Sequence, residues 1–178
     1  MTATPSDTPD VPSVRLRDYL GISAGLALFG TGLAYATQTA PATAPAADSV
    51  IAPMAALAAL TGVVWLLMVL FRNLTILRGI TDIAYFHDYK TQPPLEWVER
   101  PARTFENLLQ APILFYVVCL AILATQRIDA AQLRLAWIYV GVRILHAVIY
   151  VGWNYVPYRF AAWLASCIAL VVIWFRFV

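Results

Sequence analysis

Five apolar stretches of helical length, separated by short polar links, dominate the chain from residue 15 to its end. The first 14 residues, MTATPSDTPDVPSV, mix Pro, Thr, Ser and Asp without periodicity and predict a disordered tail. Arg15 and Arg17 then precede LGISAGLALFGTGLAYAT, which runs into the Pro/Ala/Thr-rich TQTAPATAPAADS. This segment has two readings. It is a transmembrane helix of marginal length, or a signal peptide with a small-residue cleavage site at Ala34, Tyr35 and Ala36. The helix is the better account, because the preceding tail is long, Asp18 intrudes and several glycines dilute the apolar core.

A second stretch, from about residue 50 to 77, contains AALAALTGVVWLLMVLF and is long enough to cross about 30 Å of hydrocarbon at about 1.5 Å per residue. A third runs from about 104 to 125 and a fourth from about 133 to 153. The fifth starts at Pro157, which suits the first turn of a helix, and continues to Val178. The longest polar connection lies between the second and third stretches and carries Arg78, Lys90, Arg100 and Arg103, with Arg72 just before it. The positive-inside rule makes that connection cytoplasmic. The alternation then puts Arg15, Arg17 and Arg159 on the same side, and Asp48, Arg127 and Asp129 on the other.

Composition agrees with the pattern. Of the 178 residues, 61% are hydrophobic and only 12% charged, and the mean hydropathy is +0.71, too apolar for a chain solvated by water on all sides. The formal net charge of +2 comes from scattered residues, with no basic run of the kind that binds nucleic acid. Among the basic residues only Lys90 is not Arg, and the chain is rich in Ala, which points to a GC-rich bacterial genome and hence to a bacterial inner membrane. Cys119 and Cys167 lie inside apolar runs, where a thiol packs as a small hydrophobe. His87 and Asp82 read as solvated loop residues, His146 lies in a span, and no Cys/His cluster has metal-ligand spacing.

Polar residues inside the spans carry the chemistry. An ionisable side chain at the centre of a membrane helix costs about 2.5 to 3.5 kcal/mol on insertion scales, so it needs a partner or a function. Arg143, His146 and Tyr150 fall at i, i+3 and i+7 in the fourth stretch, on one helical face, with Tyr139 one turn earlier. In the third, Arg103, Asn107 and Gln110 follow at i, i+4 and i+7, with Glu106 close to that face. The topology brings both stripes to the same membrane face as Arg159. Either they serve as interhelical glue, worth well under about 1 kcal/mol for each hydrogen bond, or they form a pocket. Guanidinium groups pair with carboxylates in two-point fashion, and a cation beside a bound thiol stabilises its thiolate.

At these residues the sequence resembles the MAPEG family, the membrane-associated proteins of eicosanoid and glutathione metabolism. ERPARTFENLLQAPILFYVVCL looks like the family's Asn-x-x-Glu motif followed by Pro, with Asn107 and Pro112 matching and Gln110 in place of Glu. YVGVRILHAVIYVGWNYVPYRFAAW looks like its Arg-x-x-His-x-x-x-Tyr stretch, followed after a short turn by the family's catalytic Arg; Arg143, His146, Tyr150 and Arg159 take those places.

The resemblance implies an all-α integral membrane protein: a MAPEG-type four-helix transmembrane bundle over residues 50–178, preceded by an additional N-terminal hydrophobic helix and linker over 15–49. It further implies a homotrimer that binds glutathione as co-substrate between subunits near the cytoplasmic face. Arg159 would stabilise the thiolate. Arg103, Asn107, Gln110, Arg143, His146 and Tyr150 would hold the peptide, with Arg72 or Arg78 as a further contact. Two departures bear on this. Gln110 removes a carboxylate that could meet the glutathione amine, and Phe160, next to Arg159, has no hydroxyl to assist the thiolate. Two functions remain open: a glutathione-dependent transferase or peroxidase acting on lipophilic electrophiles that arrive through the bilayer, or a non-catalytic membrane protein that uses the pocket for lipid, another anion or a partner.

Overall fold

The computed structural model describes residues 15–38, 45–82, 85 and 94–178; the 1–14 tail and His87 lie outside them. All regular structure among the described residues is helical. Five helical stretches are long and apolar enough to cross a membrane, which makes the chain an integral, multi-pass membrane protein.

The first, α1, spans Leu16–Gln38. It runs through the Ala34, Tyr35, Ala36 triplet and stays helical to its end. The Arg134 Nε donates to the Ala36 carbonyl at 3.2 Å, which supplies one of the acceptor partners that the last turn of a helix lacks.

A 3₁₀ turn over Ala47–Val50 leads into α2, Ile51–Leu77, about 40 Å long at about 1.5 Å per residue. Its end is a Schellman motif. Gly79, at φ +65°, donates to the Ile76 carbonyl at 2.9 Å, and the Ile80 N–H returns to the Thr75 carbonyl at 2.9 Å. This hydrogen bonding ends the helix beside the exposed Arg78.

The third stretch is two helices, α3 over Glu96–Leu109 and α4 over Pro112–Thr125. It therefore starts eight residues earlier than hydrophobicity alone suggests, because Glu96, Glu99, Arg100 and Arg103 are charged yet helical. The break falls at Gln110, with φ −92° and ψ −95°. Pro112 has no N–H to donate to Leu108, and its ring would crowd that carbonyl.

Asp129 and Gln132 form a capping box at the start of α5, Ala130–Val151. The Gln132 N–H donates to Asp129 Oδ1 at 2.7 Å and the Asp129 N–H to Gln132 Oε1 at 2.8 Å. A four-residue turn then leads to α6, Val156–Phe177, with Pro157 in its first turn. Gly152 in that turn leaves no room for a side chain, since a Cβ would sit 2.8 Å from the Val148 carbonyl oxygen.

The core is assembled from one stripe of each helix from α2 onward: Leu57 and Val64 of α2, Leu108, Phe115 and Cys119 of α3 and α4, Leu135 and Tyr139 of α5, and Ala169 and Ile173 of α6. Phe29 and Leu33 of α1 pack against its edge. Buried small residues on α5 and α6, Ala136, Ala147, Ala165 and Ala169 among them, suit close packing of membrane helices. The outward faces carry Leu66, Leu70, Leu145, Val148 and Val171, all exposed, as lipid contact requires.

Side-chain bonds fix the ends of the bundle. At one end lie Asp18, Arg100, the turn at 152–155 and Arg159. At the other lie Arg134, Asp129 and Arg176, the last two paired at 2.7 Å.

Candidate functional site

A cavity of about 300 Å³ opens on the outer face of α3, α5 and α6 and is lined by Asn107, His146, Tyr150, Val156, Arg159, Phe160 and Trp163. Its inner wall is polar and its outer wall apolar. Each polar group arrives there for a local reason. On α5, His146 and Tyr150 sit one turn apart, and the His146 ring meets the Tyr150 ring edge-on at 5.8 Å between centroids. Arg159 lies in the first turn of α6, and its guanidinium stands 4.1 Å from the centre of the Tyr150 ring, a cation–π contact. Asn107, on α3, donates from Nδ2 to the Arg103 carbonyl at 2.9 Å, which leaves its side-chain oxygen available as an acceptor.

Val156 and Phe160 are exposed, and Phe160 stacks on Trp163 with 26° between the planes. Three apolar side chains thus border the polar wall on the side that faces lipid.

The structure brings Asn107, His146, Tyr150 and Arg159 together and distributes the other sequence-derived candidates elsewhere. Arg143 is fully buried among core residues. Its Nε donates to the Tyr139 hydroxyl at 3.3 Å, whereas Nη1 and Nη2 find no hydrogen-bond partner among the described residues. His146 Nδ1 is likewise without one. Arg103, on α3, and Gln110, at the break after it, are exposed and do not line the cavity; the bend at Gln110 takes that residue off the stripe. Of the two candidates on α2, Arg72 is 3.6 Å from Glu99 of α3 in an ion pair, and Arg78 is exposed at the helix end.

Three residues that sequence reasoning did not single out stand directly behind Arg159. Arg159 Nη1 donates to Asn154 Oδ1 at 2.6 Å, and Asn154 Nδ2 donates to Glu96 Oε1 at 2.8 Å. The third is Arg100, whose Nη2 stands 3.2 Å from that same carboxylate oxygen. The one local signal was Asn154 itself, a residue type that enters left-handed backbone easily and lies in a tight turn before a proline. Glu96, 58 positions away, has no periodic relation to it.

A sequence model of the MAPEG family matches residues 50–178. No match to the chain appears among curated proteins or among solved structures.

Proposed function

Since the chain belongs to the MAPEG family, we propose that it is a glutathione-dependent transferase or peroxidase acting on lipophilic electrophiles. The observation that carries this reading is the half-buried Arg159 guanidinium set against Tyr150 and beside Asn107 and His146, in a cavity whose other wall is apolar. The donor set fits an anionic peptide thiol. Arg159 supplies positive charge to the sulfur; His146 and the Asn107 amide supply hydrogen bonds to the peptide. Lowering a thiol pKa by about two units takes about 2.7 kcal/mol of preferential interaction with the anion, within reach of one well-placed guanidinium.

In the transferase step the thiol proton passes to water at the open side of the cavity. The sulfur lone pair then forms a C–S bond with the electrophile, and the leaving group departs with the bonding electrons. In the peroxidase version two glutathione thiols are oxidised to one disulfide, while a lipid hydroperoxide is reduced to its alcohol and water. Val156, Phe160 and Trp163 offer the lipophilic partner a dry approach from the bilayer.

A homotrimer, with the cavity at the contact between subunits, would give Arg103, Gln110, Arg72 and Arg78 a ligand on a neighbouring chain and would place the buried Arg143 near a shared interior. The inner membrane of a bacterium, with the cavity end of the bundle on the cytoplasmic side, fits the basic residues gathered at that end.

The test is purified protein in detergent. Glutathione should raise its thermal midpoint and be conjugated to a generic electrophile or consumed with a hydroperoxide, and the particle should have the mass of a trimer. A trimer that neither responds to glutathione nor turns over removes the enzyme reading. Gln110 in place of a carboxylate and the exposed apolar wall favour a second reading, a non-catalytic site for lipid or another anion. Co-purified lipid displaced from the Arg159 cavity, with no thermal response to glutathione, would establish it.

A further inference from the structure

Where α5 turns into α6, side chains from two distant parts of the chain form a line that ends at the cavity. Arg159 donates to the Asn154 oxygen and Asn154 donates to Glu96. Arg100 holds the far end: it approaches Glu96 through Nη2 at 3.2 Å and donates from Nη1 to the Gly152 carbonyl at 2.5 Å, closing the network onto the same turn. Asn154 sits at φ +50°, a conformation that Asn and Asp adopt far more readily than other side-chain-bearing residues. The turn therefore aims the amide at both partners.

An amide has one accepting end and one donating end, whereas an ionised carboxylate only accepts. Glu96 consequently takes the NH₂ end of Asn154 and leaves the oxygen for Arg159. The charges divide in the same way. Glu96 is matched by Arg100, and Arg159 forms no ion pair with a carboxylate among the described residues. The cation that reaches the cavity is held firmly, but by a neutral group. A carboxylate in place of Asn154 would hold it as well and would cancel its charge.

We infer that Asn154 is a positioning residue for Arg159: a neutral spacer, oriented by Glu96, that fixes the guanidinium toward the cavity and leaves its charge to an anionic ligand. This rests on reading the cavity as a glutathione site. The relay predicts that Asn154 matters through what it lacks, a negative charge, as much as through the bond it makes.

Three variants of the full chain separate these contributions. Asn154→Asp has the same size, tolerates the same backbone and still accepts from Arg159, but it adds an anion and loses the donor to Glu96. Asn154→Gly keeps the backbone unstrained and removes the side chain. Glu96→Gln keeps an accepting oxygen for Asn154. The readout is the thiol pKa of bound glutathione, from the ultraviolet absorbance of its thiolate in difference spectra with and without glutathione, alongside its dissociation constant. The same difference spectra taken with S-methylglutathione, which has no thiol to ionise, subtract what the protein itself contributes on binding.

Asn154→Asp is expected to raise the bound thiol pKa by about one unit, a roughly tenfold loss of thiolate at a pH below both values. Asn154→Gly should raise it by about half a unit, and Glu96→Gln should stay close to wild type. An Asn154 that served folding alone would lower thermal stability in both Asn154 variants and leave the thiol pKa of the folded fraction unchanged. That result overturns the inference, as does a wild-type thiol pKa in Asn154→Asp. Should Asn154→Asp fail to fold, an unshifted Asn154→Gly overturns it equally. If wild-type protein shows no glutathione thiolate, the glutathione reading fails and the inference falls with it; a low wild-type pKa that the variants retain refutes the inference alone.

Discussion

The Tyr155 hydroxyl donates a 2.6 Å hydrogen bond to Asp18 Oδ2, joining residues 137 positions apart. This bond ties the first turn of α1 to the turn that carries Asn154 and leads into Arg159, so the additional N-terminal helix is attached to the same end of the bundle as the candidate site. Asp18 is completed by the Arg15 backbone N–H at 2.9 Å.

Tyr155→Phe and Asp18→Asn should each lower the thermal midpoint of the purified protein, and the double variant should fall no further than the larger single effect. The hydrogen bond to Asp18 holds the Tyr155 phenol above its ordinary value of 10.0, since ionising it would break the bond and set two anions side by side. A raised folded value means the contribution is complete below 10.0 and is lost as pH rises through the folded value. Melts of wild type and Tyr155→Phe should therefore converge in strong alkali; additive losses in the double variant would refute the coupling.

Arg159→Ala should cut conjugation by about 10² to 10³-fold, the range expected when one donor to a developing or bound anion is removed. The elution volume of the purified protein should be unchanged, because the guanidinium faces the cavity and contributes nothing to the core. Full activity in Arg159→Ala would move the chemistry elsewhere.

Arg143→Met offers a test with two opposite signs. In the isolated bundle Arg143 is a buried cation with two nitrogens lacking partners among the described residues, and replacing such a group by an apolar one of similar length is often neutral or stabilising. The variant without ligand should melt at or above the wild-type midpoint. Its stabilisation by glutathione should disappear if Arg143 serves the ligand across the subunit contact. A retained response would confine Arg143 to the core.

Asp129→Ala should destabilise the far end of the bundle by about 1 to 2 kcal/mol, the usual cost of losing a good N-cap. Burial alone would push the Asp129 carboxyl up, but the Gln132 N–H and the Arg176 guanidinium outweigh it and hold the group below its ordinary value of 3.8. The stabilisation is accordingly present above 3.8 and lost as pH falls through the folded value. The gap between wild-type and Asp129→Ala melting temperatures should be constant near neutrality and close in acid below 3.8.

Hydrophobic runs placed the helices to within a few residues wherever lipid decided the matter, as in α2 and α6. They missed the start of α3, because Glu96, Glu99, Arg100 and Arg103 solvate a helix that continues past the apolar run. They also missed the break at Gln110, although Pro112 was visible and its missing donor is a local property. Periodicity put Arg143, His146 and Tyr150 on one face of α5, and the structure buries that face. It did not foresee that Arg143 would turn into the core while His146 and Tyr150 reach the cavity.

The amino-acid sequence by itself determined that this chain lives in a bilayer, where its helices outside the α3 and α4 stretch begin and end within a turn or so, and which polar side chains share a helical face, because those properties depend on neighbours three or four residues away. Tertiary structure alone decided which of those faces meet. Asn154 and Glu96 are brought within 2.8 Å by the packing of α3 against the α5 and α6 turn, and Asp18 reaches Tyr155 through the docking of α1. A contact between residues 58 or 137 positions apart leaves no periodic trace in one sequence, since its geometry is set by how whole helices stack.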